Sequence, residues 1–147
     1  MNHEDVEKGN IIIKQANVLD MPFEDETFDV ITAFSTIFFW PNIVNCFKEV
    51  KRVLKTGGKF YMIQGLNGVY DESLMEEPRN EGCTFYDDEE LKDLLLEAGF
   101  SKITAFIRQR EENKKLVKIT TLECCSEKIV VDVFDESIEN EEEPISP

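Results

Sequence analysis

Histidine is nearly missing from this sequence, and positive charge is scarce: the single His3 and 16 Lys and Arg stand against 31 Asp and Glu, a formal net charge of −15 over 147 residues. With one histidine near the amino end, no Ser-His-Asp or Cys-His constellation can be assembled, which excludes hydrolase chemistry of that kind. The shortage of cations argues against a nucleic-acid backbone or an anionic membrane as partner, because each needs a basic face. A neutral or cationic small substrate suits the charge, and an acidic surface also serves solubility. No apolar run reaches the length of a membrane span, and Met1-Asn2-His3-Glu4-Asp5 is acidic where a signal peptide is basic and then apolar, so the expected location is the cytoplasm. Cys46, Cys83, Cys124 and Cys125 form no Cys-x-x-Cys pair and have no histidine nearby, so no metal site is expected. They read as small, reduced apolar residues. Among seven glycines no Asp-x-Gly-x-Gly occurs, and the pair Gly57-Gly58 follows a helical pattern instead of opening one.

What is present is organised around residues 16–40. Ile11, Ile12 and Ile13 lead into this stretch as a continuous β-branched run, and residues 28–34 form a second one. That pattern predicts strands covered on both faces in a parallel sheet. Between them Met21-Pro22-Phe23 breaks any helix, since proline fixes its own φ and pushes the residue before it toward extended geometry. Two parallel strand ends joined by a loop make a ligand edge.

Downstream, Ile43, Phe47, Val50 and Leu54 recur at helical spacing, in a helix begun by Pro41 or Asn42 and ended by Gly57. Lys48, Lys51, Arg52 and Lys55 lie toward its carboxyl end, where they oppose the dipole. Residues 59–64 predict a strand with both faces apolar. Residues 65–85 show no periodicity, the profile of a lid or connective loop. Asp87-Asp88-Glu89-Glu90 opens a further helix with an Asp-x-x-Glu capping box, Leu91, Leu94, Leu95 and Ala98 form its buried stripe, and Gly99 its left-handed cap. Residues 103–108 and 116–124 predict two strands joined by a polar turn at 111–115, and residues 129–134 another strand or an extension. The length suffices for one domain, residues 1–134, followed by an acidic tail, 135–147, too poor in apolar residues to order itself.

Five separated blocks fall in one order: Asn17-Val18, Met21-Pro22-Phe23, Phe28-Asp29-Val30-Ile31, Phe39-Trp40, and Glu49 with Arg52-Val53-Leu54-Lys55 and Gly57-Gly58-Lys59-Phe60. Together they resemble the second half of a class I S-adenosylmethionine-dependent methyltransferase of the small-molecule type, over roughly residues 9–124. The resemblance implies an α/β fold, a partial Rossmann-like doubly wound sheet lacking its first two strands and closed by a terminal antiparallel hairpin. It implies S-adenosylmethionine as cofactor. It places Asn17 and Val18 beside the adenine, the Asn oxygen accepting from the exocyclic amine, while Asn17 is equally suited to an Asx-turn. It places Phe34 and Ser35 against the methionyl part, and offers Trp40, Tyr70 and Tyr86 as substrate contacts, although Trp40 suits a plain core equally well. Catalytic residues are not named by it. Methyl transfer from a sulfonium needs placement and desolvation more than acid–base groups.

The glycine turn and acidic residue that hold the cofactor in this family precede its third strand, and only ten residues precede Ile11 here. The chain thus reads as a fragment beginning at an internal methionine. The family sheet runs 3-2-1-4-5-7-6, so the run at 11–13 is an orphan, or re-pairs, or a second chain fills the gap. The expected function is methyl transfer to a small-molecule acceptor as part of a complete enzyme, this chain alone being weak or inactive. The alternative is a non-catalytic acidic module acting by protein–protein interaction.

Overall fold

The computed structural model describes residues 3–64, 79–112 and 115–127, with the side chains of residues 64, 110, 112 and 115–118 outside that description. In chain order the elements are α1 (His3–Glu7), β1 (Phe28–Phe34), a 3-10 turn (Ile37–Phe39), α2 (Ile43–Val53), β2 (Leu54–Gln64), α3 (Asp88–Glu97), β3 (Ser101–Glu112) and β4 (Lys115–Cys125). The four strands form one sheet in the order β1-β2-β4-β3. β1 runs parallel to β2, β2 antiparallel to β4, and β4 antiparallel to β3, which is the 4-5-7-6 part of the family order with its terminal hairpin.

The run at Ile11, Ile12 and Ile13 forms no strand. Its side chains are exposed, Ile12 by 75% and Ile13 by 66%, which corrects the expectation of a buried third strand. β-branched residues become a strand only where a neighbour accepts their backbone hydrogen bonds. The hairpin strands are longer than predicted, and their pairing continues from Ser101↔Cys125 to Glu112↔Lys115. The expected turn therefore shrinks to residues 113–114, and these, with residues 129–134, the tail and Tyr70, lie outside the described residues.

Helix α2 ends at Val53, four residues before Gly57. The chain passes straight from helix to strand, and the register shifts from Phe28↔Leu54 to Val30↔Lys59. Gly57 has φ +81°, and a Cβ on Gly58 would stand 2.8 Å from the Leu54 side chain and the Lys55 carbonyl, so the glycine pair serves this irregular entry to β2 and not the helix stop. Helix α3 follows expectation closely. The Glu90 amide donates to Asp87 Oδ1 at 2.8 Å and the Asp87 amide donates to Glu90 Oε2 at 2.9 Å, completing the capping box. Gly99 at φ +99° then turns the chain so that Phe100 enters the core.

Both longer helices contribute to the core on one face of the sheet. There Phe47 and Val50 of α2, Leu91 and Leu95 of α3, Phe60 and Met62 of β2, Phe100, Leu122 and Cys124 are all buried in one cluster. Phe60 meets the ring of Phe47 at 6.1 Å and that of Phe100 at 5.7 Å. Along β1, Ile31 and Ala33 turn toward this cluster while Val30, Thr32 and Phe34 are exposed. Among the described residues β1 and β2 are therefore covered on one face only, where the sequence predicted two. Among them, too, no helix is long and apolar enough to cross a membrane.

Candidate functional site

Parallel strands β1 and β2 present their carboxyl ends together, and the chain breaks sharply there. Ser35 adopts φ +48°, its amide donates to the Ile63 carbonyl at 2.8 Å, and Phe34 beside it is 60% exposed. A non-glycine residue in the left-handed region at a strand end is costly and marks a functional edge in many folds. Thr36 then leads into the 3-10 turn Ile37–Phe39, whose Ile37 and Phe38 are buried.

Asn17 lies in a separate loop. Its side-chain oxygen accepts from the Leu19 amide at 3.0 Å and its carbonyl from the Asp20 amide at 3.0 Å, which is the Asx-turn geometry foreseen as the alternative to a ligand contact. A side-chain amide oxygen carries two lone pairs, so one acceptor position is left over from that bond. Val18 is half-buried. Neither cavity described below is lined by Asn17, Val18, Phe34 or Ser35.

Trp40 packs its ring edge-on to Phe47 at 6.2 Å and against the core cluster, the simpler of its two readings. Tyr86 is half-buried, and burial pushes its phenol above the ordinary tyrosine range, with a hydrogen bond from Thr84 opposing the shift. It lines a groove of about 400 Å³ with Thr84, Phe85, Glu90, Asp93 and Leu94. The Thr84 amide donates to the Phe38 carbonyl at 2.9 Å, and the rings of Phe38 and Phe85 stand 5.3 Å apart, so this groove borders the turn that follows β1.

A second cavity, about 460 Å³, sits at the opposite pole of the sheet, beside the first residues of β1 and β2, and is lined among others by Asp25, Lys48, Arg52, Thr56 and Ser126. Sequence reasoning treated Arg52 as a helix-end cation. The structure gives it a larger task. Its guanidinium donates to Glu49 (2.6 and 2.9 Å), to Asp25 (2.7 Å) and to the carbonyls of Met21 (3.1 Å) and Phe23 (2.9 Å). Glu49 also accepts from the Met21 amide at 2.9 Å. The pair Glu49–Arg52, three apart on one helix face, thus anchors the loop that carries the chain from Asn17 to β1. Hydrogen bonding from Arg52 holds the Glu49 carboxyl below the usual carboxylate range, against the opposing effect of burial. The sequence signal for this role was the acid–base spacing Glu49-x-x-Arg52 next to a proline loop.

A family model described as a methyltransferase domain matches residues 1–62. A protein of Methanocaldococcus jannaschii is 30% identical over 122 residues, covering 80% of this chain and 60% of its own length. The sterol 4-C-methyltransferase of Caenorhabditis elegans is 50% identical over 48 residues, 33% of this chain and 14% of the nematode enzyme. Among solved structures, an S-adenosylmethionine-dependent methyltransferase of Thermotoga maritima superposes with a TM-score of 0.66 at 19% identity, over 84% of this chain and 68% of that one. Residues 1–62 thus match a methyltransferase domain, and the described fold is that of S-adenosylmethionine-dependent methyltransferases. The cofactor of this methyltransferase family is S-adenosylmethionine. The chain spans less than two-thirds of the length of the curated relatives just described. Its matched segment 1–62 includes Asn17, Val18, Phe34, Ser35 and Trp40, and also the Glu49–Arg52 anchor. Of the residues that the resemblance offered for the cofactor, Phe34 presents an exposed ring, Ser35 a turned backbone and Asn17 one residual acceptor, and neither cavity joins them. They do not include the glycine turn for the methionyl end, since no Asp-x-Gly-x-Gly occurs in the sequence.

Proposed function

We propose that this chain contributes the adenine-side and acceptor-side wall of a site for S-adenosylmethionine-dependent methyl transfer to a small-molecule acceptor, within a complete enzyme in the cytoplasm. The carrying observation is the carboxyl end of β1, where exposed Phe34 adjoins Ser35 at φ +48° on a strand that, among the described residues, is paired on one side only. In this reading Phe34 and Ser35 pack against the methionyl part, Asn17 and Val18 against the adenine, and Tyr86 faces the acceptor. Tyr70 belongs to the same proposal. The sterol enzyme among the relatives supports a small-molecule acceptor.

The edge and face of β1 that no described residue pairs or covers, with Val30 53% exposed, are where a second polypeptide would complete the sheet and supply the contacts to ribose and carboxylate. Several charge-assisted hydrogen bonds, each worth roughly 1.5–3 kcal/mol, would come from that side. Without them affinity falls by about a thousandfold for every 4 kcal/mol lost. The family match and the methyltransferase sheet weigh against a purely non-catalytic module.

Titration calorimetry of the chain with S-adenosylmethionine tests the reading. Weak binding that Phe34→Ala abolishes is the expected result. An absence of heat at millimolar cofactor would reject cofactor binding by this chain alone.

A further inference from the structure

The groove beside Tyr86 has a composition that selects its ligand. Its floor is made by the half-buried Phe85, Tyr86 and Leu94, and its rim by the exposed Thr84, Glu90 and Asp93. Glu90 and Asp93 are three residues apart on α3, so both carboxylates stand over the same side of that helix. One oxygen of Glu90 is engaged by the Asp87 amide, which leaves the other for a ligand. Asp93 makes no ion pair among the described residues, and Lys92, the one cation of α3, is drawn to Glu89 at 2.8 Å. Among the described residues no cation is part of the groove lining, and Arg79 stands over the Phe85 ring.

The aromatic wall already accepts positive charge from within the chain. The guanidinium carbon of Arg79 lies 5.8 Å from the centroid of the Phe85 ring. An aromatic face attracts a cation through its quadrupole, most strongly where the cation carries methyl groups and sheds little water on entering. A carboxylate rim adds charge without demanding a particular donor geometry. A volume of about 400 Å³ holds a substituted ammonium and a short chain attached to it.

The geometry points to this groove as a binding site for an organic cation, a substituted ammonium seated on Phe85 and Tyr86 and faced by Asp93 and Glu90. The inference deepens the proposed function, and rests on it only for the role of the site: the groove borders the turn after β1, so the ammonium it holds is the cationic head of the methyl acceptor. Phe85 and Tyr86 stand immediately before the Asp87 cap of α3.

The test uses choline as probe and 3,3-dimethylbutan-1-ol as its neutral isostere, each titrated into the full chain without S-adenosylmethionine and followed by amide chemical shifts. Choline is expected to bind at millimolar concentration with shifts confined to residues 84–94, and the neutral isostere about tenfold more weakly, the difference a charge makes in such a site. Asp93→Asn, an exposed change that leaves packing untouched, should weaken choline about fivefold and leave the isostere unchanged. Phe85→Leu should weaken choline and not the isostere. Equal binding of the two probes, shifts centred elsewhere, or no choline binding at all each overturns the inference. Because no cofactor is present in the titration, failure of S-adenosylmethionine to bind would leave this result standing, and failure here would leave the cofactor reading standing. If Phe85→Leu disturbs the contact with Phe38, Asp93→Asn carries the test unaided.

Discussion

Two phenylalanines on neighbouring strands show how differently the two faces of one sheet are treated. Phe60 of β2 is fully buried between the rings of Phe47 and Phe100, whereas Phe34 of β1, paired in register with Ile63, is 60% exposed on the opposite face. In sequence both sit in strands rich in β-branched and aromatic residues. The difference arises because α2 and α3 cover one face and no described element covers the face that carries Val30 and Phe34. An apolar strand is thus a statement about what a chain can bury, and its neighbours decide what it does bury.

The sharpest way to break this comparison is to truncate both rings. Phe60→Ala should cost about 3–5 kcal/mol in urea unfolding, as deletion of a fully packed aromatic does. Equal losses for Phe60→Ala and Phe34→Ala would mean that the open face is covered in solution.

Next in size is the anchor that ties the loop before β1 to α2. Glu49→Gln should destabilise by about 1–2 kcal/mol near neutral pH through the weakened hydrogen bond to Arg52. The pH dependence has a definite sign. The Glu49 carboxyl has a lower pKa folded than unfolded, so its stabilisation is complete above the unfolded value of about 4.3 and is lost as pH falls through the folded value. Urea midpoints measured from pH 7 to pH 3 should therefore fall more steeply for the wild type than for Glu49→Gln. Parallel profiles would remove Glu49 from the acid response.

A smaller effect is expected on the covered side from Asp87→Ala. Loss of the capping box should cost about 1 kcal/mol and shorten the helical signal of α3 in circular dichroism. The smallest belongs to the open side: Phe34→Ala should change stability by less than about 0.5 kcal/mol, as exposed substitutions do. Its effect should appear in the cofactor titration instead. A stability loss with unchanged cofactor binding would make Phe34 a packing residue.

Much of the covered half was legible because its signals are local. The spacing of Ile43, Phe47 and Val50, the box at Asp87 and Glu90, and the cap at Gly99 each follow from contacts within a few residues. The run at Ile11, Ile12 and Ile13 misled because strand pairing is non-local, and no partner strand meets it among the described residues. Arg52 was underestimated for the same reason: its partners Met21, Phe23 and Asp25 lie 27 to 31 positions away. In the candidate site, Tyr86 and the end of β1 were offered by the family pattern, and the Asx-turn at Asn17 was available from its residue type. The groove of Phe85, Glu90 and Asp93 was not foreseen, since half-buried rings and carboxylates along a helix look structural until they share one concave surface.

By itself the sequence determined an α/β chain with a methyltransferase pattern, its helices, its hairpin and its acidic balance, because periodicity, capping and charge are properties of neighbours along the chain. Only the tertiary structure decided which face of β1 meets the core, that Glu49 and Arg52 hold the loop before it, and that Phe85, Tyr86, Glu90 and Asp93 converge beside the turn after β1. Those outcomes depend on contacts between distant segments, whose energies the linear order of residues does not display.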